Sequence, residues 1–187
     1  MSDTEDDPED SVDIEFDASS IPQFEEHATA IGYICLYWAH LEQVLNAMLE
    51  LLIPMHDRDV SRCLTSNIDF REKIQVAIGL GYMRKAREDW FDALQKQLNY
   101  IDNDLRPERN RTIHDTWDWR GPEIIRRQYA TKLSRPQARQ PQVLTVEIAK
   151  PVPIGELWGL AFKIFDASSE LSALNNEYLM DAALRPK

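Results

Sequence analysis

The sequence predicts a mainly α-helical protein: an antiparallel four-helix bundle with a small β-hairpin inserted between the third and the last helix. Two observations predict this fold class. Apolar residues recur at helical spacing along four long segments of the chain. Between the third and fourth segments, the pattern changes to short runs rich in β-branched residues and bounded by prolines, which is typical of strands. Helices with apolar faces must bury them against one another, and a bundle does so.

The first helix is expected from Pro22 to about Leu52. Proline suits the first turn of a helix, and Glu25 and Glu26 suit the positive end of the helix dipole. The apolar residues cover so wide an arc that this helix is buried on more than one side, either in mid-bundle or against a second subunit. Pro54 ends the helix.

The later elements follow from the same kind of pattern. A short helix is expected at 58–64, and Asn67 or Asp69 can cap the next long helix. Pro107 falls inside the third helix and predicts a kink or a restart there. The remaining predicted elements are helices at about 69–85, 89–114 and 154–180, and two strands, 124–133 and 143–148, in a β insertion at about 121–150.

Charge divides the chain into two parts. Residues 1–20 hold nine acids and no base, which predicts a disordered acidic tail ahead of a single domain at 21–187. The net charge of −11 therefore overstates the acidity of the domain, because the remaining residues hold 23 acids and 21 bases. Residues 106–139 alone hold nine bases and four acids, a local positive field that would attract an anion.

Several classes of protein are not indicated by this sequence. We expect no membrane span, because no run of ~20 apolar residues occurs, and no signal-peptide pattern is present. Cys35 and Cys63 form neither a disulfide framework nor a CxxC metal pair, and we expect both to stay reduced in a cytoplasmic protein. Without metal-ligand spacing or a glycine-rich phosphate loop, we expect no metal and no cofactor.

One stretch, LRPERNRTIHDTW at 105–117, carries groups suited to phosphate chemistry. Arg109 offers a fork of donors that matches a phosphate, and His114 can take and give a proton near neutral pH. Asn110 can hold a hydroxyl, a phosphate oxygen or the imidazole. Such a set could cleave RNA without a metal: a base removes the 2′-hydroxyl proton, the oxygen attacks the adjacent phosphate, and a cation stabilises the transition state.

The alternative is an ordinary exposed helix end, where Arg111 and His114 complement the negative end of the dipole. Spacing alone favours this interpretation, because a pattern as short as an Arg and a His five residues apart often occurs by chance. Asn110 and His114 share one helix face, but Arg109 and His114 lie about 140° apart. They can meet at one phosphate through the reach of arginine, through distortion at Pro107, or in a groove shared by a two-fold dimer. The angular mismatch favours the dimer, in which one chain alone presents only half of the site.

The stretch RNRTIH resembles the R-N-x-x-x-H form of the R-x4-6-H motif of the HEPN superfamily. In that family, the motif lies towards the end of the third helix of a four-helix bundle. The stretches IGYICLYWAHLEQVLNAML and FREKIQVAIGL are similar to the family's first and second helices, and the resemblance covers about residues 24–180. It implies a metal-independent endoribonuclease, usually a homodimer acting on single-stranded RNA, often in a toxin–antitoxin or defence system with an antitoxin partner.

Carried onto this chain, the resemblance makes Arg109 the phosphate-stabilising residue, Asn110 the polar residue beside it and His114 the proton-transfer residue. Glu42 is similarly placed to glutamates of the family that orient an arginine, although a solvent-facing role is equally open. Many members of the superfamily lack activity and bind nucleotides or partners. A non-catalytic, HEPN-like binding module is therefore the alternative function.

Two further residues are candidates for substrate binding. Arg111 adds a second cation beside the motif, and Trp117 follows His114 closely enough to stack on a base. Core or interface packing is the more common role of a tryptophan, and this alternative stays open for Trp117.

Overall fold

The computed structural model describes residues 22–53, 58–84, 87–119, 123–133 and 143–180, so the predicted acidic tail at 1–20 lies outside the described residues. The protein is mainly helical, as predicted. Within the described residues, no helix is both long and apolar enough to cross a membrane. The helices are α1 (Pro22–Leu52), α2 (Arg58–Ser66), α3 (Phe70–Met83), α4 (Glu88–Tyr100), α5 (Arg106–His114) and α6 (Ile154–Met180).

Asp69, one of the two predicted caps, begins α3. Its Oδ1 accepts a hydrogen bond from the Glu72 backbone N–H at 2.8 Å, and the Glu72 side chain accepts one from the Asp69 N–H. This reciprocal pair satisfies two N–H groups that the helix itself cannot bond. Asn67 has a different role, because its amide donates to the Cys63 carbonyl at the end of α2.

A π-helical turn, Ile101–Leu105, joins α4 to α5. Pro107, in the first turn of α5, has no N–H, and its ring would clash with the carbonyl four residues earlier in a regular helix. The wider π turn relieves this conflict, since the Arg106 N–H reaches back five residues to the Ile101 carbonyl. The predicted third helix is therefore one helical segment from 88 to 114, with the predicted restart at Arg106.

The sequence predicted an antiparallel arrangement of the helices, and two pairs of helices in the structure are parallel instead. Near the start of α1, the His27 ring bonds the carbonyl of Val152, which lies just before α6. Further along both helices, Asn175 of α6 bonds the Val44 carbonyl of α1. α1 and α6 are therefore parallel. α3 is also parallel to α1, because Phe70 packs on Trp38 and the last residues of α3 are followed by Arg84, which bonds the Leu52 carbonyl.

The reason is an extra reversal of the chain. α2 turns back along the end of α1, where Arg62 bonds Glu50, so that α3 again runs in the direction of α1. The segment α4–α5 then runs opposite to α6, with Gln97 bonded to the Ala167 carbonyl.

At the start of α4, Arg87 bonds both Asp89 and Glu177, and the hydrogen bond from Arg87 lowers the pKa of Asp89.

Three strands lie between α5 and α6 in the chain: β1 (Thr116–Asp118), β2 (Ile125–Leu133) and β3 (Val143–Pro151). They form one antiparallel sheet in the order β1-β2-β3. The predicted two-stranded hairpin was therefore incomplete, because β1 has only three residues and is too short for an alternating pattern. The sheet returns the chain from the end of α5 to the start of α6.

The core lies where α1 meets α3, α4–α5 and α6. Trp90 shows how α4 is held to α6: it is 1% exposed, its indole N–H donates to the Leu174 carbonyl at 3.1 Å, and its ring lies 5.2 Å from that of Tyr178. The other fully buried side chains that define this core include Ile34, Leu41, Leu45, Met48, Ile74, Leu94, Leu98 and Leu105.

We predict that Trp90→Ala lowers the free energy of unfolding by about 3–5 kcal/mol, because it opens a cavity between two helices. Trp90→Phe keeps most of the packing and removes the hydrogen bond, so its loss should be about 1–2 kcal/mol. Tyr82→Ala is the control, because Tyr82 is 75% exposed and should cost less than ~1 kcal/mol. Urea denaturation measures all three, and equal losses for Trp90→Ala and Tyr82→Ala would contradict this account.

Candidate functional site

Arg109 lies over the ring of Trp38. The guanidinium carbon is 5.5 Å from the ring centroid, which is the geometry of a cation–π contact. Trp38 is 6% exposed and is itself backed by Phe70 of α3, whose ring centroid is 4.6 Å away. Two packed aromatic rings from α1 and α3 thus fix the position of an arginine on α5.

No carboxylate among the described residues pairs with Arg109. Its Nη1 donates to Oδ1 of Asn110 at 3.1 Å, and its Nε is buried with no hydrogen-bond partner among the described residues. An aromatic face attracts a cation through its quadrupole without adding a negative charge. The guanidinium is therefore held in place and keeps its ability to attract an anion.

His114 is the last residue of α5 and is exposed. The π turn ends before Arg109, so it moves both residues together and leaves their separation of about 140° unchanged. Asn110 lies between them, about 100° from Arg109 and about 40° from His114. The Arg109 guanidinium turns towards Asn110, which lies between Arg109 and His114 around the helix. Its charge is therefore closer to the His114 side of the helix than the 140° between the two Cα positions implies.

The structure pairs Glu42 with a lysine rather than with an arginine. Lys73 Nζ donates to Glu42 Oε1 at 2.7 Å, and the lysine side chain is only 4% exposed. This ion pair joins α1 to α3 one turn beyond the contact between Trp38 and Phe70. Glu42 therefore supports the two rings beneath Arg109, and the predicted direct contact with an arginine is not what the structure has.

Arg111 lies on another side of α5, about 200° from Arg109. It is exposed and lines a cleft of about 240 Å³ between α5, α6 and the sheet, together with Arg126 and Lys150. Lys150 is paired with Glu156 at 3.0 Å. The structure therefore separates Arg111 from Arg109, whereas Arg111 and His114, three residues apart, lie only about 60° from each other around α5.

Trp117 has a packing role. It is partly buried against the core, and its indole N–H donates to the Thr112 carbonyl in the last turn of α5 at 2.9 Å. This bond satisfies a carbonyl near the helix end. The ring also contacts the edge of His27 from α1. The core-packing alternative is thus the one that these contacts favour.

Three arginines of the basic segment 106–139 are paired with carboxylates: Arg106, Arg126 and Arg127. Arg106 bonds Asp102 at 2.6 Å. In the sheet, ion pairs join Arg126 to Asp115 at 3.6 Å and Arg127 to Asp118 at 2.8 Å. Arg120, Arg135 and Arg139 lie outside the described residues. Among the described arginines of this segment, Arg109 and Arg111 are the two for which no carboxylate partner is found.

The sequence did not point to Trp38 or to Lys73. Trp38 follows the apolar stripe of α1, as any core residue would, and no sequence signal sets its height against Arg109 on another helix. Lysine side chains are normally exposed, so the burial of Lys73 was not predictable from the sequence. In the part of the chain that the structure describes, no group of three or more His, Cys, Asp or Glu side chains is placed to hold a metal ion.

No protein-family model, curated protein or solved structure matches this chain. The geometry of Arg109, Asn110 and His114, supported by α1 and α3, is what indicates a function for this chain.

We predict that Arg109→Met leaves the free energy of unfolding unchanged or raises it by up to about 1 kcal/mol. Methionine keeps an apolar stem over Trp38 and removes the buried Nε that has no partner. Arg106→Met is the control, because it removes a partner of Asp102, whose side chain is 7% exposed, and should cost about 1–2 kcal/mol. A loss at Arg109 as large as that at Arg106 would mean that Arg109 is structural.

Proposed function

We propose that this protein is a HEPN-type endoribonuclease that cleaves single-stranded RNA without a metal ion, through Arg109, Asn110 and His114. The observation that carries the proposal is the state of Arg109, which is fixed over Trp38 while no described carboxylate neutralises it. Burying a guanidinium without a counter-charge is unfavourable for the fold alone. Binding of an anion such as a phosphate explains why the chain keeps it.

In the proposed reaction, His114 takes the proton of a ribose 2′-hydroxyl, and the 2′ oxygen attacks the adjacent phosphorus. The bond to the 5′ oxygen of the next nucleotide breaks, and that oxygen takes a proton from water. The products are a 2′,3′-cyclic phosphate and a 5′-hydroxyl. Arg109 stabilises the additional charge on the phosphate oxygens in the transition state. Asn110 orients the guanidinium through its Oδ1.

One chain supplies all three groups in this proposal. The axial separation of Arg109 and His114 is about 7.5 Å at 1.5 Å per residue. An extended arginine side chain and an RNA backbone can span such a distance, and the turn of the guanidinium towards Asn110 shortens it further. The groove shared by two chains, which the sequence suggested, is the competing arrangement, and the two differ in a mixing experiment described below.

The second candidate function is a non-catalytic HEPN-like module that binds nucleotides or a partner protein such as an antitoxin. The observation that favours it is the packing of Arg109 itself, because a half-buried arginine on an aromatic ring also stabilises many folds. In this alternative, Arg109 holds α5 against α1 and His114 has no chemical role.

We predict cleavage of single-stranded RNA in excess EDTA, with products that carry a 2′,3′-cyclic phosphate. His114→Ala should lower the rate at least ~100-fold, since a positioned general base contributes about that much or more. Arg109→Met should have an effect of similar size. Cleavage is measured with an end-labelled RNA, and the same oligonucleotide with 2′-O-methyl groups should stay intact.

The control for His114 is His40→Ala, another exposed histidine, which lies on α1 outside the site. It should cleave at the rate of the unmodified protein. Absence of cleavage by the unmodified protein, or equal rates for His114→Ala and His40→Ala, would eliminate the ribonuclease proposal and leave the binding module.

Mixing two inactive variants separates the single-chain site from the shared groove. In a mixed dimer of Arg109→Met and His114→Ala chains, a shared groove would still contain one intact Arg109 opposite one intact His114. A site within one chain would have no intact pair. We therefore expect that mixing the two variants, after subunit exchange, restores no activity. Recovery of about a quarter of the normal rate would favour the shared groove, because half of the dimers are mixed and each holds one of two sites.

A further inference from the structure

A further arginine lies beside Arg109, on the helix α3. Arg71 follows Phe70, whose ring packs on Trp38 beneath Arg109. The Nε atom of Arg71 lies 3.7 Å from Oδ2 of Asp102, a buried carboxylate in the π turn just before α5. Two independent contacts therefore place Arg71 next to the candidate site.

Asp102 is shared unequally by two arginines. Arg106 bonds its Oδ1 at 2.6 Å, and the Arg106 side chain is 29% exposed. Arg71 is 67% exposed and stays beyond hydrogen-bond distance of the carboxylate. The three side chains thus bring together two positive charges and one negative charge. Since an ion pair with so exposed an arginine contributes little, an anion from solvent can bind Arg71 while Asp102 keeps its hydrogen bond from Arg106.

The nearest acids of α3 are occupied elsewhere. The side chain of Asp69 accepts from the Glu72 backbone N–H, and the side chain of Glu72 accepts from the Asp69 N–H, in the cap of the helix. Among the described residues, Asp102 is the one carboxylate found in an ion pair with Arg71. The guanidinium of Arg71 is therefore an exposed cation whose donors can be taken by a phosphate.

Arg71 approaches α5 on the side that also presents the candidate site. Because Arg71 and Arg106 reach the same carboxylate, Arg71 lies at the level of Arg106. Around α5, Arg106 lies between the other two groups, about 60° from Arg109 and about 80° from His114. Along the helix axis, Arg109 and His114 follow Arg106 by about 4.5 Å and 12 Å. An extended strand laid along this side of α5 therefore meets Arg71, Arg109 and His114 in that order.

We propose that Arg71 binds a second phosphate of the RNA strand, the one immediately 3′ to the phosphate that is cleaved. This inference rests on the proposed ribonuclease function, in which His114 acts on the 2′-hydroxyl and Arg109 holds the scissile phosphate. The 2′-hydroxyl belongs to the nucleotide on the 5′ side of that phosphate. The strand therefore runs in the 5′ to 3′ direction from His114 towards Arg71.

Such a contact has a defined role. A phosphate carries no base sequence, so Arg71 sets the position and direction of the strand rather than its sequence. The phosphate it binds does not react, and its binding energy helps to hold the reacting phosphate at Arg109. Arg71 is thus a substrate-binding residue on a helix that carries none of the three proposed catalytic groups.

A cleavage assay with a modified strand tests this assignment. The substrate is a DNA oligonucleotide with a single ribonucleotide, which can be cleaved only at the phosphate 3′ to that ribose. Replacing the next phosphate on the 3′ side by an uncharged methylphosphonate should lower kcat/KM at least ~10-fold, because a charge-assisted contact is lost. Arg71→Met should lower kcat/KM on the unmodified strand by a similar factor. The two changes together should cost no more than either alone, because they remove the same contact.

Two controls make the result specific. A methylphosphonate on the 5′ side of the ribonucleotide should act independently of Arg71→Met, so that the two factors multiply. Arg62→Met is the matched protein control, since Arg62 is 64% exposed and is paired with Glu50 on α2, away from the site. It should keep the full effect of the 3′ methylphosphonate. Factors that multiply at the 3′ position would overturn the inference and leave the ribonuclease proposal intact, and coupling at the 5′ position would overturn the direction of the strand.

A binding measurement decides the role of Arg71 even if the unmodified protein cleaves nothing. With an uncleavable 2′-O-methyl oligonucleotide, Arg71→Met should make the slope of log Kobs against log salt concentration shallower by about 0.7, one phosphate contact on a single strand. Arg62→Met should leave the slope unchanged. Equal slopes for Arg71→Met and the unmodified protein would overturn the inference, and circular dichroism of each variant verifies that the helices are intact.

Discussion

The contact between Arg109 and Trp38 is the interaction on which the arrangement of the site depends. Trp38 connects three helices. It belongs to α1, its ring packs on Phe70 of α3, and the guanidinium of Arg109 from α5 lies over it. The ion pair of the buried Lys73 with the partly exposed Glu42 joins the same two helices one turn further along. The end of α5 is also held near α1 by Trp117, which bonds the Thr112 carbonyl and lies against His27.

The choice of an aromatic ring as the partner of Arg109 has a chemical consequence. Arg106, one turn earlier, bonds Asp102, and the carboxylate largely cancels its charge. Arg109 is held by a neutral partner, so its field extends into solvent. Two arginines three residues apart on one helix thus have different roles, and the difference comes from their partners rather than from their own chemistry.

Much of the fold was predictable from the sequence, because long apolar stripes and end signals are local. The bounds of α1 and α6, the cap at Asp69 and the restart near Pro107 all follow from residues close in the chain. The parallel direction of α1 and α6 was not predictable in this way. It results from α2, a short helix that the sequence predicted without giving the direction in which it turns the chain.

The candidate site was predictable in part for the same reason. Arg109, Asn110 and His114 are close in sequence, so their angular relation follows from helix geometry. Their partners come from distant segments: Trp38 lies about 70 residues before Arg109, and Lys73 pairs with Glu42 across two helices. Charge counts were misleading for a related reason, since Arg126 and Arg127 face aspartates that only the sheet brings near.

The salt dependence of RNA binding tests the central claim, that Arg109 is held in place yet free to neutralise a phosphate. Each phosphate contact on a single strand contributes about −0.7 to the slope of log Kobs against log salt concentration. With a 2′-O-methyl oligonucleotide, which cannot be cleaved, Arg109→Met should make the slope shallower by about 0.7. Arg106→Met should leave it unchanged, because Arg106 is already paired with Asp102. Equal slopes for Arg109→Met and the unmodified protein would contradict the claim.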